Sequence, residues 1–116
     1  MSTLEPGEVT DAAALGLAHE PVAADAATSG APTTGVVELG AFAGAEVGVW
    51  EMSAGGMRDV EADELFVVLA GSATVEFDEP ALPAIELGPG SVVRLAAGMS
   101  TRWTVRDTLR KVYLAL

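Results

Sequence analysis

Glu64 heads the apolar run Leu65 to Ala70, which stops on Gly71. A carboxylate carried into such a segment loses its water, and an isolated charge there is costly, so it must hold a proton or meet a cation. In that state it is a candidate general acid or base. Partners are scarce: Lys111 is the only lysine, and Arg94 is the other candidate. Asp59, Glu61, Asp63 and Glu64 form an acidic run whose oxygens suit a hard cation such as Mg²⁺ or Mn²⁺ if they converge. Such a run is ordinarily a solvated loop, so no metal is assigned to it. There is no cysteine, which removes thiolate catalysis, disulfides and Cys-based zinc sites. The single histidine, His19, sits in a polar N-terminal stretch and is expected to be solvated. No Ser/His/Asp set, nucleophile elbow or phosphate-cradling glycine loop is present.

The elements that must position these groups read as strands. From residue 36 onward apolar residues recur with period two, and turn residues follow every 8–12 positions. Eight short strands are predicted, over 35–39, 46–52, 64–70, 73–77, 85–87, 91–95, 101–105 and 110–114. Gly55-Gly56 ends the second, and 57–63 reads as a polar connection. Gly71, Gly88-Pro89-Gly90 and Asp107-Thr108 read as turns. Residues 1–30 read as an extended N-terminal arm, with a short helix over Asp11 to Ala18 capped by Thr10 or Asp11; residues 31–116 form the domain. Alternation gives the faces. Charged Arg102 turns Trp103 inward, and Glu51 turns Trp50 inward. On the last strand hydropathy alone would bury Val112 and Leu114.

Bulk composition bounds the partners. The chain has 116 residues, half of them apolar, enough for one domain. Its formal charge of −11, from 17 acidic and 6 basic residues, repels nucleic acid and anionic membranes. No apolar stretch is long enough for a spanning helix, and no basic-then-apolar leader is visible, so a cytoplasmic location is expected.

The pieces in order resemble the cupin superfamily over about residues 30–116. Glu64 and Gly71 keep the spacing that closes the first cupin signature, and Gly90 and Gly98 match the second. The first signature's histidine positions fall on Met57 and Asp59, or Arg58 and Val60 with the shorter gap; Ser91, Ala96 and Thr101 replace the second's aspartate, proline and histidine. The chain is similar in particular to the small cupins named after (S)-ureidoglycine aminohydrolase, through Gly48-Val49-Trp50-Glu51, Glu64 to Gly71, Trp103 and Arg110-Lys111-Val112-Tyr113. The resemblance implies an all-β, double-stranded β-helix (jelly-roll) antiparallel barrel. It also implies that Lys111 and Tyr113 enter the cavity, where Lys111 can pair with Glu64. The expected site has Glu64 and Lys111 as catalytic pair, and Trp50, Thr101, Trp103 and Tyr113 around a small polar molecule. The histidine ligands are missing, so neither metal nor cofactor is assigned. Two functions stand: a metal-independent or degenerate cupin that binds without chemistry, or a ureidoglycine aminohydrolase-like enzyme with Glu64 as acid/base. A homodimer is expected, with Val36, Val37 and Leu39 as a strand suited to pairing or to covering a barrel edge.

Overall fold

A computed structural model describes residues 4–116; the first three residues of the N-terminal arm lie outside it. Nine strands are present among the described residues: β1 (His19–Pro21), β2 (Ala27–Ser29), β3 (Thr33–Phe42), β4 (Ala45–Met52), β5 (Gly55–Val60), β6 (Glu64–Glu79), β7 (Leu82–Leu87), β8 (Val92–Leu95) and β9 (Ser100–Ala115). All pairings are antiparallel.

The long strands β6 and β9 form a spine, paired from Glu64↔Ala115 to Glu79↔Ser100. Each half of the spine carries its own neighbours. At one end the order is β8-β6-β9-β4-β3-β1; at the other it is β7-β6-β9-β5-β2. The spine bends in the middle, where the register slips repeatedly between Val68 and Ala73. One buried cluster then draws from both halves, including Met52, Phe66, Val68 and Leu95 from the first and Met57, Val75, Leu87 and Trp103 from the second. Two facing half-sheets around a common core make a jelly roll.

The bend corrects the predicted turns. Gly71 and Asp107-Thr108 do not end strands; they face each other across the spine as its corner. Gly71 has φ +92°, and a Cβ there would overlap the Thr108 carbonyl. A residue without a side chain lets the two backbones close on one another while both strands run on.

Other predictions are also corrected. The expected helix at 11–18 is a turn, closed by the Ala14 amide on the Asp11 carbonyl and capped by the Asp11 carboxylate on the Ala13 amide. Its alanines favour a helix, but too few apolar side chains repeat at helical spacing to hold one against the sheet. The polar stretch 57–63 is not a plain connection: Gly55 to Val60 form β5, fully paired with β9. The predicted second strand does end ahead of its glycines, at Met52, but the glycines open a strand of their own. They admit β2, since a Cβ on Gly56 would strike Thr28 and Ser29.

Candidate functional site

Glu64 and Lys111 meet. On β6, Glu64, Phe66 and Val68 share the inward face, and Lys111 on β9 lies opposite Val68 in the register. A lysine stem is long enough to run back over Phe66 to Glu64, and Lys111 Nζ donates to Glu64 Oε2 at 2.6 Å. The ammonium also sits 4.2 Å from the Phe66 ring centre, 4.7 Å from Trp50 and 4.9 Å from Trp103. Lys111 is only 5% exposed. A charge so deprived of water is held by its carboxylate and by three aromatic faces. Hydropathy misjudges this strand because it counts the ammonium and ignores the partner waiting inside.

Behind this pair lies a carboxylate that, among the described residues, belongs to no ion pair. Glu61 is pinned by its own backbone, its amide donating to Met99 O and its carbonyl accepting from Gly98. Only 7% exposed, it accepts on Oε2 from Thr101 Oγ1 at 2.6 Å and from Trp103 Nε1 at 3.0 Å. Asp59, two residues earlier, stands exposed at the rim. The protein crowding its carboxyl, followed by the charge of Glu61, pushes it up to about 6.

Asp59, Glu61, Glu64, Lys111, Trp50, Trp103, Tyr113 and Val36 enclose a cavity of about 120 Å³. The Tyr113 hydroxyl donates to Glu46 Oε2 at 2.6 Å. Burial and then that bond hold its ionisation well above the ordinary range, so Tyr113 offers the cavity a ring and not a proton. The close approach of Gly48 to Tyr113 makes room for this ring, since a Cβ there would strike the phenol. A wider cleft of about 610 Å³ lies between β7 and β8, lined by Phe77, Leu82, Ile85, Val92 and others. Its charged groups, Glu86 and Arg94, are exposed, whereas the buried charged residues Glu61 and Lys111 line the smaller cavity.

Of the predicted site residues, Glu64, Lys111, Trp50, Trp103 and Tyr113 come together around the cavity. Thr101 does not line it; it is buried behind Glu61, whose position it fixes. The acidic run divides. Asp63 turns outward to Arg94 at 3.4 Å and to the Ala97 amide, while the other three face the cavity. Among the described residues, no set of three His, Cys, Asp or Glu is placed to hold a metal ion. Glu61 was hidden in that run, yet one signal marks it: Met57, Asp59 and Glu61 alternate, and Met57 is a core residue.

His19 is not solvated. Its ring bonds Thr33 Oγ1 at 2.8 Å and Glu51 Oε1 at 2.7 Å. Glu51 accordingly lies under the arm and not in water, and it receives Arg110 Nε on its second oxygen at 2.8 Å. Burial works against the Glu51 charge, but Arg110 and His19 prevail and hold it below the ordinary carboxylate value. Arg110 also donates to the carbonyls of Ala12 and Leu15, tying the arm to β9. No spacing in the sequence announces a contact spanning so much chain.

Comparison with known proteins adds the following. The family described as the EutQ-like cupin domain matches residues 39–113. Among solved structures, a protein of unknown function of the DUF861 family from Pseudomonas syringae superposes with a TM-score of 0.72 at 19% identity, covering 89% of this chain and 45% of that one. The Clostridium difficile EutQ protein gives 0.61 at 17% identity, over 72% and 68% of the two chains. A putative ethanolamine utilization protein Q from Salmonella typhimurium gives 0.60 at 19%, over 71% and 68%. The chain thus spans less than half of the Pseudomonas protein. No curated protein matches it. Identities this low carry the fold alone.

Proposed function

Because the chain belongs to the EutQ-like cupin domain family, we propose that its cavity binds a small polar molecule through organic side chains rather than through a metal ion. One observation carries this reading: a carboxylate buried at Glu61 faces the same 120 Å³ space as the Glu64–Lys111 pair. Ionised groups withdrawn from water are costly, and groups arranged around a space are a binding site by default. The test is a thermal-shift screen of small polar metabolites, ureidoglycine and ureidoglycolate included, against the protein and Glu61→Gln. A ligand should raise the melting temperature of the first and not of the second. A screen in which nothing shifts the parent would count against binding.

Glu64 Oε1, which meets no donor among the described residues, favours a second reading, a ureidoglycine aminohydrolase-like enzyme with Glu64 as acid/base and Lys111 tuning it or holding an anionic group. Turnover lost in Glu64→Gln would support it. Binding without turnover would remove it.

A cytoplasmic setting and a homodimer complete the proposal. β1 covers β3 only at Thr33 to Gly35, so among the described residues the outer edge from Val36 to Phe42 is unpaired. Val36 and Phe42 on it are 60% and 69% exposed, while Leu39 turns into the core. An open, partly apolar edge is a template for a second copy.

A further inference from the structure

The lining of the cavity is unbalanced in hydrogen-bonding capacity. Lys111 is its only cationic side chain, and its ammonium is spent on Glu64 and the three rings. The Trp103 N–H and, from behind the lining, the Thr101 hydroxyl are spent on Glu61, and the Tyr113 hydroxyl on Glu46, so the Trp50 N–H is the one side-chain donor of the lining without an acceptor among the described residues. Acceptors remain over. Glu61 Oε2 is satisfied, but among the described residues no donor reaches Glu61 Oε1. The same holds for Glu64 Oε1, since Lys111 takes Oε2, and for Asp59 Oδ2, since the Val60 amide takes Oδ1. Three carboxylates against one ammonium leave the lining short of positive charge; the proton affinity of Asp59, raised first by burial, is raised further by the neighbouring Glu61. The Glu61 oxygen is the telling one, because its residue is more than nine-tenths buried and lines the cavity. A buried acceptor left unmatched is costly, so this site is built for something that arrives with donors.

We propose that the cavity takes a small organic cation, a primary ammonium or an amidinium, which donates to Glu61 Oε1 and Glu64 Oε1 and is met at the rim by Asp59. This rests on the reading of the cavity as a binding site and gives its ligand a charge and a size. The space holds about four waters at roughly 30 Å³ each, hence a ligand of about four non-hydrogen atoms. The half-buried edge of Trp50 supplies an apolar wall for a short carbon stem. A metal ion is the poorer occupant, since the carboxylates do not converge on one point. The charge of −11 on the whole chain also draws cations toward it and repels anions.

Three isosteric probes separate charge from shape: acetamidinium, acetamide and acetate. Binding is read by calorimetry and by the fluorescence of Trp50 and Trp103, with ethylammonium and Mn²⁺ as further probes. Acetamidinium or ethylammonium should bind one per chain, at least tenfold tighter than acetate. Glu61→Gln should weaken that binding at least tenfold, Asp59→Asn less, and Glu86→Gln, far from the cavity, not at all. Should Glu61→Gln fail to fold, Asp59→Asn and the probe series still decide. Equal or tighter binding of acetate or acetamide, or binding of Mn²⁺ alone, overturns the cationic ligand while leaving the cavity a binding site. Silence from every probe overturns both.

Discussion

An ammonium enclosed by three rings and one carboxylate leaves its partner stranded if it is removed. Lys111→Ala would leave Glu64 buried without a cation, and we expect a loss of about 3–5 kcal/mol in chemical denaturation. Lys111→Met combined with Glu64→Gln should lose much less than the sum of the single changes, since neither a lone charge nor a cavity remains. Asp59 gives a pH signature of definite sign. Its proton is held more tightly in the folded state, up to about 6 against an ordinary 3.8. Its contribution is therefore complete below the ordinary value and is lost as pH rises through about 6. The difference in stability between the parent and Asp59→Asn should shift against the parent across that window and be flat above it. Solvent at the exposed rim keeps the effect small. Glu51 works the other way, its contribution present above 4.5 and lost as pH falls. Glu64 was legible because it opens an apolar run, and Lys111 because it is the only lysine and the family resemblance turns it inward. Glu61 was not, because adjacent acids look alike until the pleat assigns them to different sides.

Among the places where a side chain cannot fit, two shape the spine and the cavity. Gly71 is one: φ lies in the left-handed region and the Thr108 carbonyl occupies the Cβ position. Gly71→Ala should cost about 1–3 kcal/mol from backbone strain alone, and more from the overlap. An urea midpoint unchanged in that variant would show that the corner relaxes freely. Gly48 is the other, and it determines whether the Tyr113 ring can flank the cavity. The first part of β6 alternates cleanly and could be read from periodicity, as could β4 up to Val47, beyond which both of its faces are covered. β5 could not, because Arg58, Asp59 and Val60 are all exposed on a strand whose pairing alone defines it. The same reason hides β1 and β2, each only three residues long.

At the scale of the whole molecule, the arm, the edge strand and the spine act together. The Arg110–Glu51–His19 contacts fasten residues 12–21 over the outer face of β4 and β9, and β1 then borders β3. Where β1 ends, the open edge begins. Light scattering on a sizing column should give a mass near twice 11.8 kDa, and Val36→Pro should return it to the single-chain value, because alternation along β3 turns the amide of residue 36 to the open edge and that of residue 37 to β4. A single-chain mass for the parent would retire the dimer. The all-β, antiparallel class was legible from eight stretches of alternation, and the jelly roll from the family resemblance; the curl was not legible from periodicity, since it arises from register slips at residues that read as turns. Because β6 and β9 belong to both halves, neither half can melt while the other persists, and the chain should unfold in one concerted step. The spine also joins residues as far apart as Glu64 and Ala115. A nucleus that must close loops of that length forms late, so refolding should run on the slow, millisecond-to-second scale of β-rich proteins.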